Sequence, residues 1–300
     1  MLLFQQIEEL SYKYSDARKI IGEFVLNEKN HLENYTMKEI ADKTYTSKSS
    51  MVRFAKALGF SGWKAFLKEF LSETYYEDTH YTDIDPNYPF AEGTSTKDIV
   101  YKMCNLQVES ILDTADQLDI NELEKASDIL LNVQNIALMG QSPNIHLGCL
   151  FKRKMLAIGK EILLPDGGNQ GLLAHSLGEK DCAILISYSG NNELRYPLNL
   201  IPILKEHKVC LLAITGLGDN LLRQQADCVL SISSRERLYS KIGTFATEES
   251  IEYLLNLLYA CYFVKHYQKN IEYKIRVSRT LEKRYSQYID MREDREKRKV

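Results

Sequence analysis

The chain has 300 residues, 44% of them hydrophobic, and a formal net charge of −3. That length supports two domains with cores of ordinary size, and the composition excludes a disordered or fibrous chain. No window approaches about 18 uninterrupted apolar residues, so no membrane partner is expected, and the net charge by itself does not argue for nucleic acid.

The opening MLLFQQIEEL lacks a basic start and soon meets Glu8 and Glu9. A secretory leader is not expected, and the cytoplasm is the expected location. Residues 1–73 follow a helical period. Thr36 and Glu39 form a capping-box pattern before a short helix with Ile40 and Ala41 inward. Ser47 can cap a second helix over residues 47–58, with Met51, Val52, Ala55 and Leu58 as its buried stripe and Gly59 as its stop. Two short helices across a turn of three or four residues make a helix-turn-helix, whose second helix enters a DNA major groove.

Residues 46–68 carry Lys48, Arg53, Lys56, Lys64 and Lys68 and no acid. Thr46, Ser47, Ser49 and Ser50 are small and polar enough for groove entry. Arg53 can read a base or a phosphate, and Lys48, Lys56 and Lys64 suit phosphates, which set affinity but not sequence. On spacing alone, a helical hairpin with a solvated basic face fits the same residues.

Residues 76–97 hold two prolines and five acids without a long apolar period and are read as a linker between domains at 1–75 and 98–268. Helical stretches near 98–117 and 121–132 follow. Short apolar runs then occur at 135–140 (NIALMG), 161–165 (EILLP), 182–187 (CAILIS), 209–215 (VCLLAIT) and 228–232 (CVLSI). Continuous apolar runs fit strands covered on both faces, which predicts a five-stranded parallel sheet with ligand residues just past its carboxyl ends. A long helix is expected over 246–268. Residues 271–300 carry ten Lys/Arg against six Asp/Glu and suit either a solvated helix or a dimer or DNA contact.

The six cysteines form no CxxC pair and read as reduced core thiols; the histidines show no metal spacing, so no metal or cofactor is expected.

Two runs end in loops suited to an anion. In CAILISYSGNN, Ser187, Tyr188, Ser189 and Gly190 precede a helix expected to begin near Asn192. After the first run, Gly140, Gln141 and Ser142 open another helix, with Pro143 suited to its first turn. Hydroxyls, backbone N–H groups and a helix start can converge on a phosphate. An ordinary capped turn explains either loop equally well. In the loop 166–175, His175 could lie near a ligand or simply be solvated. Glu248 and Glu249 could bind ligand hydroxyls or complement a helix N-terminus.

The segment SSMVRFAKALGFSGWKAFLKEF resembles the recognition helix and following turn of RpiR-type bacterial transcription regulators, through Ser47, Val52, Arg53, Phe54, Leu58, Gly59, Phe60, Gly62, Trp63 and Phe66. Met51 stands where that pattern has Thr. The two serine loops resemble those of the sugar isomerase (SIS) domain, over about 98–268. RpiR-type regulators join these two domains in this order. The resemblance implies an all-α helix-turn-helix domain plus a flavodoxin-like α/β SIS domain. It implies a homodimer or homotetramer that binds a double-stranded, pseudo-palindromic operator and senses a phosphorylated sugar without catalysis.

Carried over residue by residue, Ser142, Ser187 and Ser189 match the hydroxyls that contact phosphate, with Gln141 and Tyr188 giving backbone groups. Leu138 replaces the first glycine of loop one, and Asn192 stands where Thr or Ser is usual. Two rivals stay open: a phosphosugar isomerase with an added DNA-binding domain, and a regulator with a vestigial pocket.

Overall fold

The structure, a computed structural model, describes residues 3–80 and 84–281. Helices α1 (Leu3–Lys13) and α2 (Ala17–Asn27) pack on each other, and a 3-10 segment, Lys29–Asn34, leads to α3 (Met37–Lys43). The Thr36 capping box forms: the Thr36 hydroxyl accepts the Glu39 N–H at 3.3 Å and the Glu39 carboxylate accepts the Thr36 N–H at 2.7 Å. Helix α4 (Lys48–Ala57) starts on Ser47, whose hydroxyl accepts the Ser50 N–H at 3.1 Å. It stops at Gly59, which takes a φ of 88°. Gly59 N donates to the Lys56 carbonyl and Phe60 N to that of Ala55, the paired bonds of a glycine C-cap.

Helix α5 (Trp63–His80) closes the domain. Phe54 of α4 packs among Trp63, Phe66 and, through Phe66, Phe70 of α5. The buried side of α4 is therefore Met51, Phe54 and Ala55, with Val52 and Leu58 half-buried. α5 runs on into the segment read as linker as far as His80, because that stretch holds no proline or glycine to break it. Residues 84–95 then lie on the second half. Asn87 is buried there, its side-chain oxygen accepting Arg237 N at 2.6 Å and its carbonyl accepting Ile242 N at 2.9 Å.

Helices α6 (Thr96–Asp116) and α7 (Ile120–Asn132) lead into β1 (Ile136–Gly140), then α8 (Asn144–Leu156) and α9 (Gln170–Ser176). Next come β2 (Cys182–Ser187), α10 (Ile201–Glu206), β3 (Cys210–Gly216), α11 (Leu221–Gln225) and β4 (Cys228–Ile232). The long α12 (Phe245–Lys265) and α13 (Tyr267–Leu281) follow; the rest of the charged tail lies outside the described residues.

The sheet is parallel with order β1-β2-β3-β4, four strands rather than the five expected. The run 161–165 makes a single parallel bridge, Leu163 to Ala137. Pro165 and the left-handed Gly167 and Gly168 turn the chain away before a ladder can extend. That bridge lies on the free side of β1, so the chain reverses direction across the sheet between Leu163 and β2. The crevice above β1 and β2 is thus the topological switch point, where ligands bind in open α/β sheets.

Two apolar layers cover the sheet. One packs Leu138, Ile184 and Ile214 under α7, α8 and α12. The other packs Ala137, Met139 and Leu185 under α9 and α10. Leu138 points into the first layer, and a Cβ added at Gly148 of α8 would meet its Cδ2 at 2.4 Å. The missing glycine of the first loop is thus a packing feature beneath α8.

Cys182 and Cys228 are buried and Cys210 and Cys261 partly so, whereas Cys104 and Cys149 are exposed, because they fall on outward faces of α6 and α8. No helix among the described residues is long and apolar enough to cross a membrane, and no described group of His, Cys, Asp and Glu could hold a metal.

Candidate functional site

Helices α3 and α4 present one exposed polar face. Ser47, Lys48, Ser49, Arg53 and Lys56 are exposed; Thr46 and Ser50 are half-buried. Some of these hydroxyls already have partners. The Ser47 and Ser50 hydroxyls lie 3.0 Å apart, and Arg53 donates to Ser50 at 3.2 Å. Thr46 bonds the buried Thr44 hydroxyl at 2.8 Å. Lys64 and Lys68 are exposed on α5. Tyr45, in the turn itself, has a φ of 52° and is 96% exposed. A non-glycine residue held left-handed, with its ring in solvent beside the helix start, is a feature of this face that periodicity did not mark.

A cavity of about 270 Å³ opens above β1 and β2. Gln141, Ser142, Ser187, Tyr188, Ser189 and Glu248 all line it. Gly190 and Asn192 do not. Gly190 has a φ of 64°, and a Cβ there would lie 2.4 Å from the Asn220 side chain and 2.6 Å from the Thr215 hydroxyl. It shapes the turn and its N–H donates to the Ser187 hydroxyl at 3.3 Å. Asn192 is exposed, its carboxamide accepting Leu194 N at 3.2 Å. No helix starts there; the first turn of helix comes at Leu198, after Pro197. The second loop therefore lacks the helix N-terminus expected of it; the helix starts at this rim are those of α8, behind Gln141 and Ser142, and of α12, at Thr244, Thr247 and Glu248.

His175 is exposed on α9 with its ring against His207, outside the cavity. Glu248 accepts the Thr244 hydroxyl, while Glu249 accepts the Gln107 side-chain amide on α6.

The cavity also gathers residues with no signal in the local sequence. Arg195 lines it from the β2–α10 connection, and Tyr239 and Lys241 from the loop before α12. Lys241 lies 3.3 Å from the fully buried Glu236 carboxylate and 5.6 Å from the Tyr188 ring centroid. Glu236 in turn caps α12, accepting Ala246 N at 2.6 Å and the Thr247 hydroxyl at 2.7 Å. Burial holds the Tyr188 phenol far above its ordinary value, so it remains a neutral donor, to the carbonyls of Ser234 at 2.9 Å and Glu236 at 2.8 Å. Burial likewise pushes Tyr196 up to about 12, against the opposing pull of the Gly140 backbone. The site thus offers serine hydroxyls, two cations, phenols and one carboxylate on a single cavity.

A helix-turn-helix joined to a parallel α/β domain with a polar cleft at its switch point defines a ligand-binding transcription regulator. Residues 1–77 match the helix-turn-helix domain of the rpiR family, and residues 129–247 match the SIS domain. An uncharacterised HTH-type transcriptional regulator of Thermotoga maritima is 28% identical over 268 residues, covering 86% of this chain and 89% of its own. The chain belongs to the RpiR-type transcription regulators. The Vibrio vulnificus NanR protein complexed with ManNAc-6P shares the fold with a TM-score of 0.58 at 15% identity, covering 93% of this chain and 97% of its own. The sugar isomerase domain of an RpiR transcription factor from Sphaerobacter thermophilus matches 60% of this chain and 98% of its own, with a TM-score of 0.53 at 16% identity.

Proposed function

We propose that this regulator responds to a small phosphorylated sugar, held by Ser142, Ser187 and Ser189 with Arg195 and Lys241, and that Arg53 and the start of α4 contact its operator. The observation that carries the reading is the convergence of three serine hydroxyls and two cations on one cavity at the switch point. Hydroxyls and cations together suit a phosphate. The volume, below the roughly 300–1,000 Å³ of larger ligand clefts, suits a small metabolite. Tyr196 and Glu248 line the same cavity and are suited to sugar hydroxyls. NanR, a fold relative, was solved with a phosphorylated amino sugar.

The same geometry favours a sensor over an isomerase. Ring opening and ketose–aldose exchange need a placed acid and base. With His175 outside, Glu248 is the one carboxylate among the described lining residues. Exposed Tyr101, Val108 and Leu112 on α6 support assembly as a dimer or tetramer, which a pseudo-palindromic operator would match. A DNA-binding regulator of sugar genes is placed in the cytoplasm.

The test is a thermal-shift comparison of glucose 6-phosphate, fructose 6-phosphate and N-acetylmannosamine 6-phosphate with the free sugars, followed by operator binding with the compound that stabilises. Stabilisation by a phosphorylated form alone, altered DNA affinity and no turnover are expected. Equal stabilisation by free sugars, or turnover, would reject the reading.

A further inference from the structure

Helix α1 faces two ways. Leu3, Phe4 and Ile7 join the core of the DNA-binding domain. Gln5 and Glu8 are polar yet only 4% and 5% exposed, because they are buried against the α/β domain. The Glu8 carboxylate accepts three successive backbone N–H groups, from Leu238, from Tyr239 at 3.1 Å and from Ser240 at 2.8 Å. The Gln5 amide donates to the Glu236 carbonyl at 3.0 Å and to the Tyr188 hydroxyl. One turn on, Tyr12 stacks on Tyr239 with ring centroids 4.5 Å apart.

Apart from Tyr188, these partners belong to one loop, 234–241, between β4 and α12. The other face of that loop is a wall of the cavity, through Leu238, Tyr239 and Lys241. Tyr188 belongs to both sites: its ring lines the cavity, and its hydroxyl is the acceptor for Gln5. A buried carboxylate holding three N–H groups leaves all of them unsatisfied if the loop shifts, so the contact favours two discrete arrangements over a gradual slide. From α1 the packing continues to α2, and from α2 to α4.

We propose that loop 234–241 is the element through which the pocket controls the DNA-binding domain, with Gln5 and Glu8 of α1 as its read-out. This rests on the pocket being the effector site. An anionic ligand draws Lys241 from Glu236 and presses on Tyr188. Either movement alters the loop's hold on α1, and with it the placement of α4. The device is contained within one chain, and it would operate whichever way the chains assemble.

Amide hydrogen exchange on the full-length protein tests this, first without ligand. Glu8→Ala should speed exchange roughly tenfold or more at 238–240 and also in the pocket turn 187–190. Tyr188→Phe, which removes only the hydroxyl, should speed exchange across residues 3–13. A Glu8→Ala effect confined to 238–240, with residues 3–13 unmoved by Tyr188→Phe, overturns the proposal. If Glu8→Ala does not fold, Glu8→Gln carries the same comparison.

With glucose 6-phosphate, fructose 6-phosphate or N-acetylmannosamine 6-phosphate, whichever stabilises the wild type, exchange at 3–13 should change in the wild type. It should stay constant in Glu8→Ala, although that variant is still stabilised. Stabilisation of the wild type with no change at 3–13 also overturns the coupling. Failure of all three compounds would count against the phosphosugar reading instead, and the ligand-free exchange would then decide the coupling by itself.

Discussion

Two serine-rich turns, at 46–50 and at 187–192, use similar chemistry to different ends. In the first, Ser47 caps a helix and Gly59 closes it eleven residues before Phe70 completes the aromatic cluster beneath. In the second, Ser187 ends a strand and Ser189 follows it, Gly190 folds the chain sharply back and no helix follows until Leu198. The hydroxyls at 47 and 50 are used within the helix start. Those at 187 and 189 line a cavity. A capping residue makes a helix only where an apolar stripe follows to be buried. Met51, Phe54 and Ala55 provide one after Ser47; Glu193, Leu194, Arg195 and Pro197 do not after Ser189.

The comparison can be broken first at Phe54. It is fully buried against Trp63 and Phe66, so Phe54→Ala should cost about 3–5 kcal/mol, read as the urea midpoint of the N-terminal domain. A loss below about 1 kcal/mol would mean that burial does not hold α4 in place.

The two turn glycines give the next contrast. Both are left-handed, but a Cβ at Gly59 meets open space whereas one at Gly190 strikes Asn220 and Thr215. Gly59→Ala should cost about 1–2 kcal/mol, from backbone strain alone. Gly190→Ala should add about 1–3 kcal/mol for the clash and weaken sugar-phosphate binding. Equal losses at the two sites would remove the distinction.

Arg53→Ala should weaken operator binding by about 1–3 kcal/mol if the guanidinium reads a base, measured by fluorescence anisotropy. A uniform, smaller loss on all sequences with a reduced salt slope would assign it to phosphate.

The smallest effect is at Asp16, the cap of α2. Its hydrogen bond from the Arg18 side chain lowers it from 3.8 to about 2. A folded value below the unfolded one means the stabilisation is complete above pH 3.8 and is lost as pH falls through about 2. Asp16→Ala should flatten the fall in melting temperature across that window, and an unchanged slope would show that the cap does not matter.

Sequence made the caps legible because they are local: Thr36 with Glu39, Ser47 with Ser50 and Gly59 each act within a few residues. The strand runs were legible in the same way, except 161–165, whose apolarity reflects burial of Ile162 and one bridge. Hydrophobicity reports burial, and pairing needs room beyond Pro165 that the chain does not leave. The serines of the pocket could be read because each lies at, or within two residues of, the end of a strand. Arg195 and Lys241 could not, since they reach the cavity from connections with no period, brought there only by the order of the strands. Gln5 and Glu8 carry no local signal either, and only the second domain makes them buried.

Leu138 and Gly148 leave a separate consequence. The isobutyl group on the strand fills the gap that the bare α-carbon on the helix provides. The two positions therefore form one inheritable unit of volume. A lineage could restore glycine to the strand only by enlarging residue 148 or accepting a hole, and an alanine at 148 would have to wait for a smaller partner. Among descendants of this chain, substitutions at 138 and 148 should arrive in pairs, as mirror images in size.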